Sequence, residues 1–342
     1  MRFPEFLPEG GRIGLIAPSF GCTTEPYRSC FIRAQENFAK KGYRIVQGPN
    51  CDKELGVGKS NTPEACGAEI NDFFLHDRAD ILISCGGGET MCEDLPYVDF
   101  AAISRAKPRW FMGYSDNTNL CFTLPTLCDT AAVYGPCVSD FSMEPWHPAL
   151  EDAFALLTGK CLSLRNYPAW EKECVKDETD PFAPYHVTEP FAPTLAGAEA
   201  PVSFSGRLLG GCLDCLLSLC GTPFDRVKEF ARKYRRDGIL WFLESCDLNP
   251  LAIRRGLWQL RQAGWFEGAS GFLIGRALHY DEEIMGVDRL NAVTESLGSL
   301  GLPLVMDVDL GHLPPMMPLI EGALAEVRAD RQTLQLQMFL DK

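Results

Sequence analysis

Hydrophobic positions in the first third of the chain fall into short apolar runs separated by segments of helical period. Ile13–Ala17 is an apolar run stopped by Pro18, Ser19 and Gly21, the pattern of a strand entering a loop. Residues 27–41 carry apolar side chains at helical spacing and stop before Gly42, as at a helix C-cap. Tyr43–Val46 predicts a second strand, Glu64–Leu75 a second helix, and Asp80–Ser84 a third strand ending in Gly86-Gly87-Gly88. Trp110–Tyr114 predicts another strand, with Ser115 directly behind it. Apolar strands alternating with helices argue an α/β fold with a parallel sheet and helices on its faces.

The pattern fails from about Tyr167 to Glu199, where Pro168, Pro181, Pro184, Pro190 and Pro193 lie among acidic residues. Residues 160–204 are therefore expected to be an interdomain loop, lying partly over the functional site. Regular elements resume near Ser205. Gly210-Gly211 precedes an apolar helix, Leu213–Cys220, and Ile239–Leu243 is a strand ending at Glu244. Ala252–Ala263 is amphipathic, Gly271–Gly275 is a buried strand, and Leu304–Asp309 is a strand leading to Gly311-His312. The division expected is residues 1–150, the connection 160–204, and residues 205–342.

Composition narrows the function. At 46% hydrophobic and 23% charged residues, the chain reads as an ordinary globular protein. A net charge of −14 and a pI near 4.9 oppose non-specific binding to nucleic acid or anionic membrane. No stretch approaches the ~20 apolar residues of a membrane span. Met1–Gly11 holds Arg2, Glu5 and Glu9 without a secretory apolar core, so the cytoplasm is expected. The fifteen cysteines are scattered singly through apolar runs, as buried thiols of a reducing compartment are. Cys212 and Cys215 form a C-x-x-C with no second pair and no nearby histidine, so zinc is set aside. No metal and no cofactor are expected.

Three strand ends carry candidate chemistry. Ser115, in Gly113-Tyr114-Ser115-Asp116-Asn117, stands where a strand-to-helix turn exposes a nucleophile and aims backbone N–H groups at a developing oxyanion. The alternative is a serine capping a helix. Gly86–Gly88 lack the G-x-G-x-x-G of a dinucleotide site and instead suit close backbone approach to a ligand. Glu244 follows five apolar strand residues at the sheet edge where α/β sites form, with Asp247 as its competitor. Of five histidines, His279 and His312 follow strands of the second unit. Serine needs a base, and the base needs an acceptor that fixes its tautomer.

These residues resemble the LD-carboxypeptidase family of serine peptidases, which includes muropeptide LD-carboxypeptidases and microcin C immunity peptidases. The resemblance runs from Gly11-Arg12-Ile13 to about Val327. It rests on Gly86–Asp99 with Leu95-Pro96-Tyr97-Val98-Asp99, the Gly-Tyr-Ser-Asp block within Pro108–Leu120, Gly206–Pro223, Leu240–Glu244 and Gly311-His312. It implies a Rossmann-like N-terminal domain carrying the nucleophile and a smaller, mixed, β-rich C-terminal domain, as a homodimer. The implied triad is Ser115, Glu244 and His312, with the backbone of Gly87 and Asp116 as oxyanion hole and Gly88 as a substrate-binding candidate. The implied substrate is a small peptide or an aminoacyl-nucleotide, cut at an amide bond; a non-catalytic binding domain of the same fold is the remaining reading. Trp170 is expected as a stacking surface for a nucleotide, with Tyr185 as a second. Cys212, where the family usually has asparagine, and Glu321, where an apolar residue is expected, are departures.

Overall fold

A computed structural model describes residues 1–56, 58–197 and 201–340. Five strands, β1 (Arg12–Ile16), β2 (Arg44–Gln47), β3 (Ile81–Ser84), β4 (Trp110–Gly113) and β5 (Ala132–Tyr134), lie parallel in the order β2-β1-β3-β4-β5. Their connections are helices, among them Tyr27–Lys40 and Pro63–Leu75, so β3 and β4 are buried on both faces and read as unbroken apolar runs. The helix Pro63–Leu75 starts where its sequence says, with proline in the first turn and the Thr62 hydroxyl accepting from the Ala65 N–H.

The rest of the chain adds β6 (Ser163–Arg165), β7 (Ala169–Trp170), β8 (Glu189–Pro190), β9 (Thr194–Ala196), β10 (Val202–Cys212), β11 (Ile239–Glu244), β12 (Ala269–Gly275), β13 (Leu304–Val308), β14 (Leu319–Glu321), β15 (Leu324–Ala329) and β16 (Leu334–Phe339). Eight of these form a second sheet in the order β6-β16-β15-β10-β11-β12-β13-β9. Its centre, β10 to β13, is parallel and its flanks are antiparallel. The expected mixed α/β architecture is the one observed, although the second sheet, at eight strands against six, is the larger.

Residues 160–204 depart from the expected loop. They supply β6 and β9 at opposite edges of the second sheet, the small β7–β8 pair, and the first residues of β10. Strands of two or three residues are too short to display a period of two, so their pairing is set by the strands already present rather than by their own pattern.

After β13 the chain passes His312, adds β14 antiparallel to β5 on the first sheet, and returns as β15 beside β10. The histidine loop is thereby slung between the two sheets. One continuous core contains Ile13 and Trp110 from one sheet and Leu208, Phe242 and Val305 from the other. The Thr118 hydroxyl accepts from the Cys212 N–H at 3.0 Å across the same junction. Glu321 ends β14 fully buried with no partner for either carboxylate oxygen among the described residues. Burial pushes its pKa well above the usual carboxylate range. Among the described residues no helix is long and apolar enough to cross a membrane.

Candidate active site

Parallel strands deliver their C-terminal ends to one edge, and three elements meet there. β4 ends at Gly113, and Ser115 follows with φ at +62° before the helix Thr118–Cys128. Such backbone costs a non-glycine residue about 1–3 kcal/mol. Asn117 holds the turn by donating from Nδ2 to the carbonyls of Gly86 (2.8 Å) and Tyr114 (3.1 Å). The Ser115 side chain caps no helix; its Oγ lies 2.9 Å from His312 Nε2.

His312 Nδ1 lies 2.8 Å from Glu244 Oε2. Glu244 is buried at the end of β11, and its second oxygen, Oε1, accepts the Tyr134 hydroxyl at 2.6 Å. That hydroxyl also accepts the Ser115 N–H at 3.2 Å, closing a ring through serine, histidine, glutamate and tyrosine. Tyr134 was not singled out in the sequence. Its only signal is that it ends the apolar run Ala131–Tyr134 before Gly135-Pro136, at the sheet edge where Ser115 and Glu244 stand. Asp247 is exposed and its carboxylate does not reach His312; His279 is partnered with Glu282 at 3.6 Å.

The electrostatics follow from this pairing. Burial alone would push the Glu244 carboxyl up, but His312 beside it and the hydrogen bonds it accepts bring it below its ordinary value. Burial alone would lower the His312 pKa; the Glu244 charge outweighs it, with help from Cys246, and holds it well above 6.5. The two directions describe one coupled pair.

Glycine is required at one place around the pair, Gly311, and leaves close clearance at a second, Gly87. A Cβ on Gly311, whose φ is +91°, would lie 2.5 Å from Glu244 Oε2. A Cβ on Gly87 would lie 3.2 Å from Ser115 Cβ and 3.3 Å from its Oγ, so the glycine loop passes against the serine hydroxyl. Asp116 turns its side chain inward, where Oδ2 accepts the Met91 N–H at 2.9 Å and the Ser19 hydroxyl. That tie fastens the serine turn to the glycine loop and leaves the Asp116 carboxylate outside the chemistry.

A cleft of about 350 Å³ opens over Ser115 and His312 and is rimmed by Phe20, Tyr27 and Asp140. A smaller pocket of about 90 Å³ also borders Ser115, and Gly88 borders both. Trp170 borders neither. It is buried, with its ring 4.9 Å from that of Tyr280 and the Arg276 guanidinium 4.7 Å from its centroid. The next residue, Glu171, donates its N–H to the Pro314 carbonyl at 2.7 Å, so Trp170 braces the histidine loop instead of offering a stacking face. Tyr185 comes closer, lining a cavity beside Tyr114 and His312. Phe20 and Tyr27, ring centroids 5.3 Å apart, line the cleft itself together with Tyr114. Cys212 and Cys215 border the smaller pocket, and no group of three or more metal-binding side chains is assembled among the described residues.

Residues 13–135 match the LD-carboxypeptidase N-terminal domain and residues 205–327 the LD-carboxypeptidase C-terminal domain. The chain belongs to the LD-carboxypeptidase family. Among its relatives is a Bacillus subtilis protein named "Probable murein peptide carboxypeptidase", 24% identical over 98% of this chain and 94% of its own length. The microcin C7 self-immunity protein MccF of Escherichia coli is 23% identical over 96% of this chain and 94% of its own. A structure of MccF with aspartyl sulfamoyl adenosine superposes with a TM-score of 0.83 at 21% identity, covering 98% of both chains. An MccF-like protein from Streptococcus pneumoniae with AMP gives 0.79 at 22%, covering 97% of this chain and 99% of the other. At those identities the likeness to the solved structures is one of fold.

Tyr134 gives the site its first test. Tyr134→Phe leaves the Ser115 N–H and one oxygen of buried, ionised Glu244 without the hydroxyl. Hydrogen bonds to charged groups contribute about 1.5–3 kcal/mol, so kcat is expected to fall roughly ten- to hundredfold, with a lowered melting temperature. Steady-state kinetics and a thermal melt check it; unchanged kcat excludes the hydroxyl from holding the glutamate.

Proposed function

We propose that the chain is a serine carboxypeptidase of LD type that hydrolyses an amide bond in murein-derived peptides, with Ser115 as nucleophile, His312 as general base and Glu244 orienting the histidine. The observation that carries the reading is the unbroken contact from Ser115 Oγ through His312, at 2.9 and 2.8 Å, to a buried carboxylate. Ser115 Oγ attacks the carbonyl carbon as its proton passes to His312 Nε2. The oxyanion forms beside the glycine loop, where the Gly87 and Asp116 N–H groups are assigned to hold it. Collapse breaks the C–N bond, His312 hands its proton to the leaving amine, and water then releases the acyl group by the reverse sequence.

The aromatic rim of Phe20 and Tyr27 favours a second reading, since bases stack on such rings. In it the leaving group is a nucleotide, as in the ligand of the solved MccF complex. Incubating the protein with a murein tetrapeptide and with an aminoacyl sulfamoyl adenosine, followed by mass spectrometry, separates them. Loss of the terminal D-amino acid from the tetrapeptide is the expected result. Cleavage of the nucleoside compound alone moves the protein to the second reading, and cleavage of neither removes both.

A further inference from the structure

The Cys212-x-x-Cys215 motif takes no part in the reaction described above, yet the fold sets it against two members of the triad. β10 ends at Cys212, which is the N-cap of the helix Leu213–Leu219, and Cys215 is the third residue of that helix. An N-cap side chain folds back toward the third residue of its helix. Two thiols at these positions therefore face one another, and these two lie within hydrogen-bonding reach. Both are free thiols, and both line the pocket of about 90 Å³ that borders Ser115.

Each thiol also touches a group the reaction depends on. Cys215 Sγ donates to the Ser115 carbonyl at 3.5 Å, within the turn that presents the nucleophile. Cys212 is only 1% exposed; its Sγ lies 3.4 Å from Asp214 Oδ2, and its thiol reaches Glu244 as a hydrogen-bond donor. The Thr118 hydroxyl fixes the Cys212 backbone, so the sulfur cannot turn away from these neighbours without moving the end of β10.

The surroundings set how such a pair reacts. Contact with Cys215 and burial push the Cys212 thiol well above its ordinary pKa. The same contact lowers Cys215, but burial and the charges of Asp116, Glu244 and Asp214 carry it above its ordinary value as well. Thiols held in this way are slow nucleophiles, so the pair rests reduced and responds only when oxidant accumulates. Cys215, half-buried where Cys212 is enclosed, is the one an oxidant entering the pocket meets first.

We infer that Cys212 and Cys215 are a reversible oxidation site, at which a small peroxide forms a disulfide that slows the Ser115 nucleophile. The Cys215 sulfur attacks one oxygen of hydrogen peroxide; the O–O bond breaks, the thiol proton leaves with the second oxygen as water, and a sulfenic acid remains. The Cys212 sulfur attacks that sulfenic sulfur. The S–S bond forms, the S–O bond breaks, and the hydroxyl departs as water with the Cys212 proton. The thiols give up two electrons and the peroxide takes them. Contact between the sulfurs makes the second step fast, and a dithiol reductant reverses the product by exchange. In the disulfide the sulfurs close to about 2.05 Å and neither carries a proton, so the Ser115 carbonyl and Glu244 each lose a donor. The disulfide stands apart from the hydrolase reading; its effect on Ser115 rests on that reading.

The test treats the protein with excess hydrogen peroxide, alkylates the remaining free thiols under denaturing conditions, and maps disulfides by mass spectrometry. In parallel, the rate at which a serine-directed phosphonylating reagent labels Ser115 is measured before and after treatment. A Cys212–Cys215 link is expected, with labelling slowed by about three- to tenfold, the scale of losing two weak hydrogen bonds. Dithiothreitol should restore the rate. Cys215→Ser, compared with itself untreated, should show neither the link nor the slowing, and Cys246→Ser should show both. No link between 212 and 215, or one from either to Cys92, Cys220 or Cys246, overturns the inference and leaves the hydrolase intact. So does a link that leaves the labelling rate unchanged, or slowing that persists in Cys215→Ser. A reduced protein that is not labelled at Ser115 removes the hydrolase reading, and the effect on the nucleophile falls with it.

Discussion

Ser115→Ala is expected to lower kcat by about four to six orders of magnitude, because members of a hydrogen-bonded triad act as a unit and losing one forfeits nearly the whole effect. The structural cost should be small. Among the described residues the serine hydroxyl hydrogen-bonds only His312, and alanine keeps the Cβ of a turn held by Asn117 and by the buried ties of Asp116. A serine-directed phosphonylating reagent gives a readout that needs no substrate: the wild type should gain one adduct by intact mass and the variant none. Near-native melting with lost labelling is the expected pair of results. A variant that keeps a tenth of the activity, or is still labelled at the site, removes Ser115 as nucleophile.

The three strand-end residues were legible because each combines an abrupt stop in a buried run with a polar group that apolar surroundings would not otherwise tolerate. Ser115 stands two residues beyond, and Glu244 ends, a strand whose burial is unbroken. His312 was marked by its glycine, and the structure supplies the reason: any Cβ at 311 would strike the Glu244 carboxylate. Local sequence therefore encoded a contact across 68 residues, through a steric requirement that glycine alone meets.

What escaped the sequence was non-local. β14 shows an apolar run, but nothing in it says that it joins the first sheet by pairing with β5. Glu321 within it argues against burial by type, yet it is fully buried, and burial pushes its carboxyl pKa up. Trp170 could be placed in an irregular acidic stretch but not assigned an inside or an outside, since β7 has two residues. The ring packs on Tyr280 and Arg276, the nearer of which lies 106 residues away in sequence (276 − 170), so no local pattern could reveal the contact. Tyr134 has the look of any strand-end aromatic, and its hydroxyl becomes informative only once Ser115 and Glu244 are seen on either side of it.

Glu244→Gln is expected to lower kcat by about three to four orders of magnitude, as when the acceptor of a catalytic histidine becomes an amide and the imidazole is held in the wrong tautomer. The pH profile carries the sharper test. His312 accepts the serine proton only when neutral, so kcat/KM rises as pH rises through its pKa. That pKa is held well above 6.5 by the Glu244 charge against the opposing effect of burial, which puts the acid limb of the wild-type profile above the ordinary histidine range. Glutamine removes the charge and leaves the burial, so the limb should move to lower pH even as the plateau collapses. Asp247→Asn supplies the contrast, because Asp247 does not reach His312: it should keep the limb close to its wild-type position. A Glu244→Gln limb that stays at the wild-type pH, or a larger plateau loss in Asp247→Asn, would assign the orienting carboxylate elsewhere. Lost activity with a displaced limb in one variant, and a retained limb in the other, identifies Glu244 as the group that both orients His312 and sets its protonation.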